Sequence, residues 1–241
     1  MSFDNSQYFT KENLDTYLKA LAKEYRKKNG TAMPAEIILI GGAAVLENYG
    51  FREMTTDIDA VIHAASSMKD AINKVGDTFN LPNGWLNTDF MLTGSYSPRL
   101  DEFSVYYRTF SNVLRIRTVS AEYLIAMKLR AGRKYKNDLS DVIGILAEHE
   151  KRGTPITYEM INTAVINLYG GWEDVPNDAQ AFLQDTLKSG NYAAIYENVR
   201  AEESKSKDIL IDFEQEYPGV TKEANVDEIL RTLKAKTEKS E

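Results

Sequence analysis

The sequence predicts an α+β fold in which a small mixed β-sheet is flanked by helices and is followed by an all-helical C-terminal part. Over residues 1–150, short runs rich in β-branched residues alternate with segments of helical periodicity. The polar stretch 151–155 marks a change, and every later segment up to residue 236 has helical spacing punctuated by Gly or Pro. We therefore predict an α/β core at 1–150 and a helical extension at 156–236.

The elements of the core follow from local signals. Thr10 is a suitable N-cap, Leu14, Leu18 and Leu21 then repeat at helical spacing, and Gly30 is a natural stop. Residues 85–92 carry no clear signal, and we assign them neither strand nor helix. The other predicted core elements are strands at 36–40 and 56–62, helices at 43–49 and 66–79, an antiparallel hairpin at 102–108 and 112–118, a helix from its cap Ser120 to 131, and a helix at 138–149.

The extension is predicted as four helices, at 157–168, 178–188, 192–217 and 225–236. The segment 192–217 is long and heavily charged, with scattered apolar residues. It either packs on the core or binds a partner, and the second reading would make the chain an interaction protein.

Composition excludes several classes of site. The chain has no cysteine, which rules out disulfides and thiolate metal sites, and its two histidines, His63 and His149, are too few for a histidine-rich site. Net charge is −7, which disfavours a large nucleic-acid footprint but leaves a local basic patch open. No apolar run approaches a membrane span, and residues 1–6 lack signal-peptide features. We expect a cytoplasmic protein with no membrane partner.

Two acidic residues carry the strongest chemical signal. Side chains alternate along a strand, so Asp57 and Asp59 are predicted to share one face, roughly 7 Å apart. Asp is disfavoured inside strands, and the apolar residues around this pair argue against the alternative of an exposed edge strand. Neighbouring carboxylates on a rigid strand can hold a divalent cation against a phosphate chain.

A glycine pair precedes these acids at the end of the first strand. Gly41 and Gly42 let the backbone approach a ligand closely, and the N-terminus of the following helix offers free N–H groups to a phosphate. Strand–glycine–helix turns also occur for purely structural reasons, and both readings stay open.

The third element spans residues 120–146. Asp138 and Asp141 share one face of the predicted helix at 138–149. On spacing alone, a solvated helical face with ordinary ion pairs is the favoured interpretation. The alternative is a source of positive charge for a triphosphate, supplied by Lys128, Arg130, Arg133, Lys134 and Lys136.

In combination these motifs resemble a known group of proteins. Gly41-Gly42, Arg52 and Thr56 ahead of Asp57-x-Asp59, the run Ala-Met-Lys-Leu-x-Ala-Gly-Arg, and a downstream Asp-x-x-Asp are similar to the nucleotidyltransferase superfamily, which has the DNA polymerase β-like fold. Within it, the chain resembles the DUF6036 branch, related to the AbiEii toxins of type IV toxin–antitoxin systems. The run Trp85-Leu86-Asn87 also resembles that branch. The resemblance covers roughly residues 35–148.

This resemblance implies roles for individual residues. Gly41 and Gly42 match the glycine motif that cradles nucleotide phosphates, and Asp57 and Asp59 match the metal-binding carboxylates. Lys128 matches a lysine placed by the active site. The further implied nucleotide-binding residues are Asp138 and Asp141, which match the acidic positions that follow, and Arg52 and Thr56, which lie near the pocket by position.

The resemblance also implies the reaction. It implies a Mg²⁺-dependent transfer of a nucleotidyl group from an NTP to tRNA, a protein or a small molecule. It further implies a role in a toxin–antitoxin or phage-defence system, with a cognate antitoxin as partner. One departure stands out, because many active members carry a third carboxylate on a later strand. The predicted strand at 112–118 has no acid, and Asp89 and Asp101 are the candidates in flanking segments. A degenerate nucleotide-binding or regulatory module is therefore the alternative.

Overall fold

The structure, a computed structural model, describes residues 8–222 and 225–237. Its centre is a five-stranded mixed sheet in the order β3-β2-β1-β5-β4. The β1–β2 and β4–β5 pairs are antiparallel, and the β1–β5 and β2–β3 pairs are parallel. The strands are β1 (Ala35–Leu39), β2 (Ile58–His63), β3 (Leu86–Asn87), β4 (Ser104–Phe110) and β5 (Leu114–Val119). The predicted small mixed sheet is confirmed.

Helices surround this sheet and make up the described C-terminal part. All of the predicted helices and strands are present, with ends within two residues of the predicted ones. The 3₁₀ turns are Asp89–Leu92 and Pro98–Phe103. The helices are α1 (Lys11–Asn29), α2 (Gly41–Asn48), α3 (Ser67–Phe79), α4 (Ala121–Ala131), α5 (Asp138–Lys151), α6 (Tyr158–Tyr169), α7 (Asn177–Ser189), α8 (Tyr192–Glu216) and α9 (Val226–Thr237).

Two differences from the predicted ends affect the acidic motif. β2 begins at Ile58, so Asp57 lies just before the strand and the prediction that it belongs to the strand is wrong. The reason is a backbone bridge between Phe9 and Thr55, with N–H···O distances of 2.8 and 2.9 Å, which holds the chain in a separate conformation ahead of β2. α2 begins at Gly41, so both glycines lie in its first turn.

The region left unassigned by the sequence completes the sheet edge next to β2. β3 pairs with β2 through Ile58–Leu86 and Asp59–Asn87, and a 3₁₀ turn follows directly. Residues paired across strands point to the same face of a sheet. Asn87 therefore flanks Asp59, and the following 3₁₀ turn begins at Asp89.

One apolar core extends through most of the described chain. It runs from Phe9 in the N-terminal segment to Leu183 in α7 and passes the predicted boundary at residue 150, which stays a prediction. A smaller cluster of Tyr135, Leu210, Val226 and Leu230 fixes α9 and the end of α8 against the loop before α5. Within the described ranges, no helix combines the length and the apolar character needed to cross a membrane.

A close contact fixes the loop between α2 and β2 against α5. The Phe51 ring lies over Gly144, where a Cβ atom would meet three ring atoms at 2.5 to 2.7 Å. The ring also contacts Tyr49 and Tyr196, with centroid distances of 5.7 and 5.9 Å. Gly144 therefore allows the loop, including the next residue Arg52, to lie directly on α5.

We expect Gly144→Ala to destabilise the protein by about 1–2 kcal/mol, because overpacking at Phe51 outweighs the gain in helix propensity. Urea unfolding measures this, and Phe51→Leu in the same background should restore part of the loss. Gly50→Ala is the matched control, since a Cβ there meets nothing within 4 Å and should change stability by less than about 0.5 kcal/mol. Equal effects at both glycines would contradict the packing argument.

Candidate functional site

The double-glycine bend and the second acid of the motif lie side by side. A Cβ atom on Gly41 would lie 3.7 Å from Oδ2 of Asp59. Gly41 has a φ of +54°, a conformation that favours glycine, and α2 has no side-chain cap at its N-terminus. The structure thus places a carboxylate and the free amides of a helix start at the same spot.

The electrostatics of Asp59 show which groups surround it. Burial, together with the charge of Asp57, raises its pKa to about 6, and Asp89 adds to the rise. Arg133 and Lys128 act in the opposite direction. Asp57 is exposed and Asp59 is partly buried. Asp59 therefore lies between a second carboxylate, which opposes its ionisation, and two cations, which favour it.

Gly42 has a packing role. A Cβ atom on it would lie 2.6 Å from Oγ1 of Thr55 and 2.8 Å from Nη2 of Arg52. The Thr55 hydroxyl donates a hydrogen bond to the carbonyl oxygen of Asp57 at 3.2 Å. Gly42 therefore leaves the space in which Arg52 and Thr55 approach α2 and hold the chain ahead of β2.

Behind the carboxylate pair lies a network of buried charges on α4, α5 and the neighbouring loops. The Lys128 ammonium lies 2.9 Å from Asp138 and 2.9 Å from Asp141. Arg52 contacts Asp141 at 2.5 Å, and Arg133 contacts Asp138 at 2.8 Å. Asp138 is fully buried, Asp141 nearly so, and the Lys128 side chain is 8% exposed. We call these five residues the ion network.

Charge balance in the ion network depends on every member. Burial opposes ionisation of Asp138, but the charges of Lys128 and Arg133 outweigh it and hold its pKa well below the usual range. Removing one partner from such a network leaves an uncompensated buried charge, which is strongly destabilising. The three cations exceed the two carboxylates by one charge, and this excess lies beside Asp59. Asp138 and Asp141 thus orient cations toward the site.

The structure brings eight of the nine predicted site residues into one region. Thr56 is the exception, because the threonine whose hydroxyl contacts Arg52 and Asp57 is the buried Thr55, which the prediction missed. Two adjacent threonines gave no signal for choosing between them. The eight are Gly41, Gly42, Arg52, Asp57, Asp59, Lys128, Asp138 and Asp141.

Two further cations belong to this region although the predicted site did not include them. Arg133 binds Asp138 with its side chain and its backbone N–H. Lys136 is partly buried and forms no ion pair with any residue in the described ranges. Burial lowers the pKa of Lys136, and the nearby Asp57 acts against that change. Arg133 and Lys136 lie in a loop rich in Lys and Arg, so the sequence indicated positive charge there without showing which residues lie near the acids.

The structure separates the two candidates for a third carboxylate. Asp89 lies near enough to Asp59 to raise its pKa, whereas Asp101 is 2.6 Å from His63 at the far end of β2. His63 is half exposed, as expected for the end of a strand. Among residues 8–222 and 225–237, no three acidic or histidine side chains are grouped closely enough to hold a metal ion together.

The strand expected to carry a third acid presents other side chains. Register through β1 places Arg115 and Arg117 of β5 on the sheet face that bears Asp59, since Ile38 pairs with both Val61 and Arg117. Alternation places Val119 on the same face. None of the residues of β5 is acidic.

Comparison with known proteins gives two matches. The sequence model of a family described as "Nucleotidyltransferase of unknown function (DUF6036)" matches residues 16–148, which include every predicted site residue. Among solved structures, the chain is similar to an antigenic nucleotidyltransferase-like protein from Paracoccidioides brasiliensis, at 15% identity, over 74% of this chain and 95% of that chain, with a TM-score of 0.39. No curated protein matches the chain.

We expect Asp59→Asn to stabilise the metal-free protein at pH 8 by about 1–2 kcal/mol. The folded-state pKa of Asp59 is raised to about 6, so its ionisation costs native stability as pH rises through that value. The gain should shrink on acidification and vanish below about pH 4, where Asp59 is protonated in both states. Urea unfolding across this pH range measures it. The exposed Asp77→Asn should show no such trend, and a gain independent of pH would contradict the assignment.

Proposed function

The chain belongs to the DUF6036 family of nucleotidyltransferases of unknown function, and from this premise we propose that it is a Mg²⁺-dependent enzyme that moves a nucleotidyl group from an NTP to an acceptor. One observation carries the proposal: the carboxylates of Asp57 and Asp59 interact with each other beside the Gly41 bend. A strained acidic pair next to free helix amides suits a cation that bridges protein and phosphate.

The residues present fit a magnesium ion. Carboxylate oxygens are ligands that Mg²⁺ prefers, and it commonly takes one or two protein carboxylates together with substrate phosphates. Burial and, after it, the charge of Asp57 raise the pKa of Asp59, as expected for a buried carboxylate beside a second one before a cation binds. When bound by Asp57 and Asp59, Mg²⁺ would neutralise phosphate charge and favour loss of pyrophosphate.

The chain's own groups would bind and orient the nucleotide. The first turn of α2 has no side-chain cap, so its backbone N–H groups can bind a phosphate. The chain enters this turn through Gly41, which has a positive φ. Lys136 is a cation without an ion-pair partner in the described chain, so it can take a phosphate oxygen without breaking an existing bond. Lys128 and Arg133 would act mainly as fixed positive charge behind the acids.

In the proposed reaction an acceptor hydroxyl oxygen forms a bond to the α-phosphorus. The bond between that phosphorus and the oxygen bridging to the β-phosphate breaks, and the electron pair leaves on pyrophosphate. The hydroxyl proton must go to a base, and we assign this role to Asp89. It is exposed, it lies near Asp59, and no ion pair with a described residue occupies its carboxylate.

The acceptor and the biological setting stay predictions. A tRNA, a protein side chain and a small molecule are all compatible with the site, and net charge of −7 mildly disfavours nucleic acid. A role in a toxin–antitoxin or phage-defence system, with a cognate antitoxin as partner, rests on the family resemblance alone.

A second candidate function is a catalytically degenerate module that binds nucleotide without transferring it. The observation that favours it concerns β5, where active relatives are expected to carry an acid. On the sheet face that Asp59 shares, β5 presents Arg115, Arg117 and Val119 instead. Incubation with each labelled NTP, Mg²⁺, cell RNA and cell protein separates the two. Label on an acceptor supports the enzyme, and tight binding without transfer supports the module.

We expect Asp57→Asn and Asp59→Asn each to lower nucleotidyl transfer by at least about 100-fold, because electrostatic stabilisation supplies most of such a reaction. Both variants should also weaken Mg²⁺-dependent NTP binding, measured by calorimetry, while retaining the circular dichroism spectrum of the wild type. The matched control is Asp77→Asn on the exposed face of α3. Wild-type activity in either site variant would refute the metal assignment.

We expect Asp89→Asn to lower the transfer rate by about 10²- to 10⁴-fold, the usual contribution of a general base, with little change in NTP affinity. Asp101→Asn should leave the rate near that of the wild type, since Asp101 pairs with His63 away from the bend. Rates are measured with saturating NTP and the acceptor identified in the labelling experiment. If the two variants behave alike, Asp89 is not the base.

A further inference from the structure

Helix α8 lies outside the family-matched residues 16–148, yet it packs along α5 and contributes a buried carboxylate to it. Glu203 is 4% exposed, although most of its neighbours on α8 are in contact with solvent. Acidic side chains are rarely this buried unless they are bound by partners. Its partners therefore indicate what it does.

Among the described residues, the hydrogen bonds to Glu203 all come from the first turn of α5. The backbone N–H groups of Leu139 and Ser140 donate to Oε1 at 2.9 and 3.3 Å, and the Ser140 hydroxyl donates to Oε2 at 2.5 Å. Asn137, the residue at the N-cap position of α5, makes no side-chain capping bond. Glu203 thus supplies from a distant helix the cap that α5 lacks locally.

The turn held by Glu203 is the one that carries the acids of the ion network. Asp138 immediately precedes the two bound amides, and Asp141 immediately follows them. Any rotation or fraying of this turn would move both carboxylates relative to Lys128, which contacts each at 2.9 Å. It would also move Asp138 relative to Arg133.

A second contact of α8 reaches the opposite end of the same network. Tyr196 packs edge-on against Phe51, with ring centroids 5.9 Å apart. Phe51 precedes Arg52, whose guanidinium contacts Asp141. α8 therefore contacts the site region at two points that lie two helical turns apart. Glu203 binds the turn that carries Asp138 and Asp141, and Tyr196 packs on Phe51 next to Arg52.

A cap from α8 is costly compared with a local one. Burial raises the pKa of Glu203 to about 7, although the Ser140 hydroxyl and the two amides oppose the rise. A Ser or Asp at position 137 that capped the helix would satisfy the same amides without burying a carboxylate. The free-energy cost of burying this carboxylate indicates that the attachment of α8 to this turn has a role of its own.

We propose that Glu203 is a positioning residue of the candidate active site, which holds the first turn of α5 so that Asp138 and Asp141 keep Lys128, Arg133 and Arg52 in place. The catalytic part of this inference rests on the proposed nucleotidyltransferase function. Its structural part does not, and the two can be tested separately.

The structural part is tested by NMR on the full chain without nucleotide. The Nε–H group of Arg133 donates to Asp138 at 2.8 Å, so its signal reports directly on the ion network. Glu203→Ala should shift this signal and increase its solvent exchange by about 10-fold or more, because the turn frays when its cap is lost. Glu203→Gln retains one acceptor oxygen and should give a smaller change. Glu202→Gln, at the exposed neighbouring position, is the matched control and should change nothing.

Ser140→Ala is a milder second variant, which tests the same contact if Glu203→Ala does not fold. It removes only the hydroxyl donor and leaves both backbone bonds to Glu203 in place. Its effect on the Arg133 signal should be smaller than that of Glu203→Ala. In the double variant with Glu203→Gln the two effects should not add, since they disrupt one hydrogen-bond network. Additive effects would overturn the proposed path through the first turn of α5.

The catalytic part is tested by Mg²⁺-NTP binding and label transfer in the same variants. Substitution of a residue that orients the groups of a site typically lowers affinity or activity by about 10- to 100-fold. We expect Glu203→Ala to lower label transfer within this range, and Glu203→Gln to lower it less. An unchanged Arg133 signal in Glu203→Ala overturns the inference. A shifted Arg133 signal in a protein whose wild type neither binds nor transfers nucleotide refutes the proposed function and leaves the positioning role standing.

Discussion

The arrangement of this protein depends on one buried cation held between two carboxylates. Lys128 is almost completely buried, and its charge is stable there because Asp138 and Asp141 lie at hydrogen-bond distance. Each acid in turn binds an arginine, so no member can move alone. These contacts join α4, α5 and the two neighbouring loops behind Asp57 and Asp59.

The fold delivers the pieces of the site from distant parts of the sequence. The bend after β1 contributes Gly41, the start of β2 contributes the acidic pair, and α4 and α5 contribute the charges behind it. Close approach is made possible twice by the absence of a side chain, at Gly42 beside Arg52 and at Gly144 beside Phe51. The glycines therefore determine how near the loop after α2 can come to α5.

Sequence patterns predicted the parts of this arrangement that are local. The acids at 57 and 59 were recognisable because Asp is disfavoured in strand-like segments. A capping threonine starts α1 and α6, and a glycine ends α1, α4, α6 and α7. The patterns failed where long-range contacts decide. Because of the Phe9–Thr55 bridge, β2 begins two residues later than predicted. The segment that forms β3 has no alternation of polar and apolar residues, and it becomes a strand because it pairs with the edge of β2. Nothing near position 203 indicated a partner more than sixty residues earlier.

The position of α8 in the chain has a consequence for the order of events during synthesis. The sheet and the helices up to α5 leave the ribosome well before the segment that contains Glu203, because chains are made and fold from the N-terminus onward. Until α8 has been translated, the amides of Leu139 and Ser140 lack the carboxylate of Glu203 as their acceptor. A nascent chain, or one cut short before α8, would thus contain every residue of the family match and still lack the carboxylate that holds the turn bearing Asp138 and Asp141.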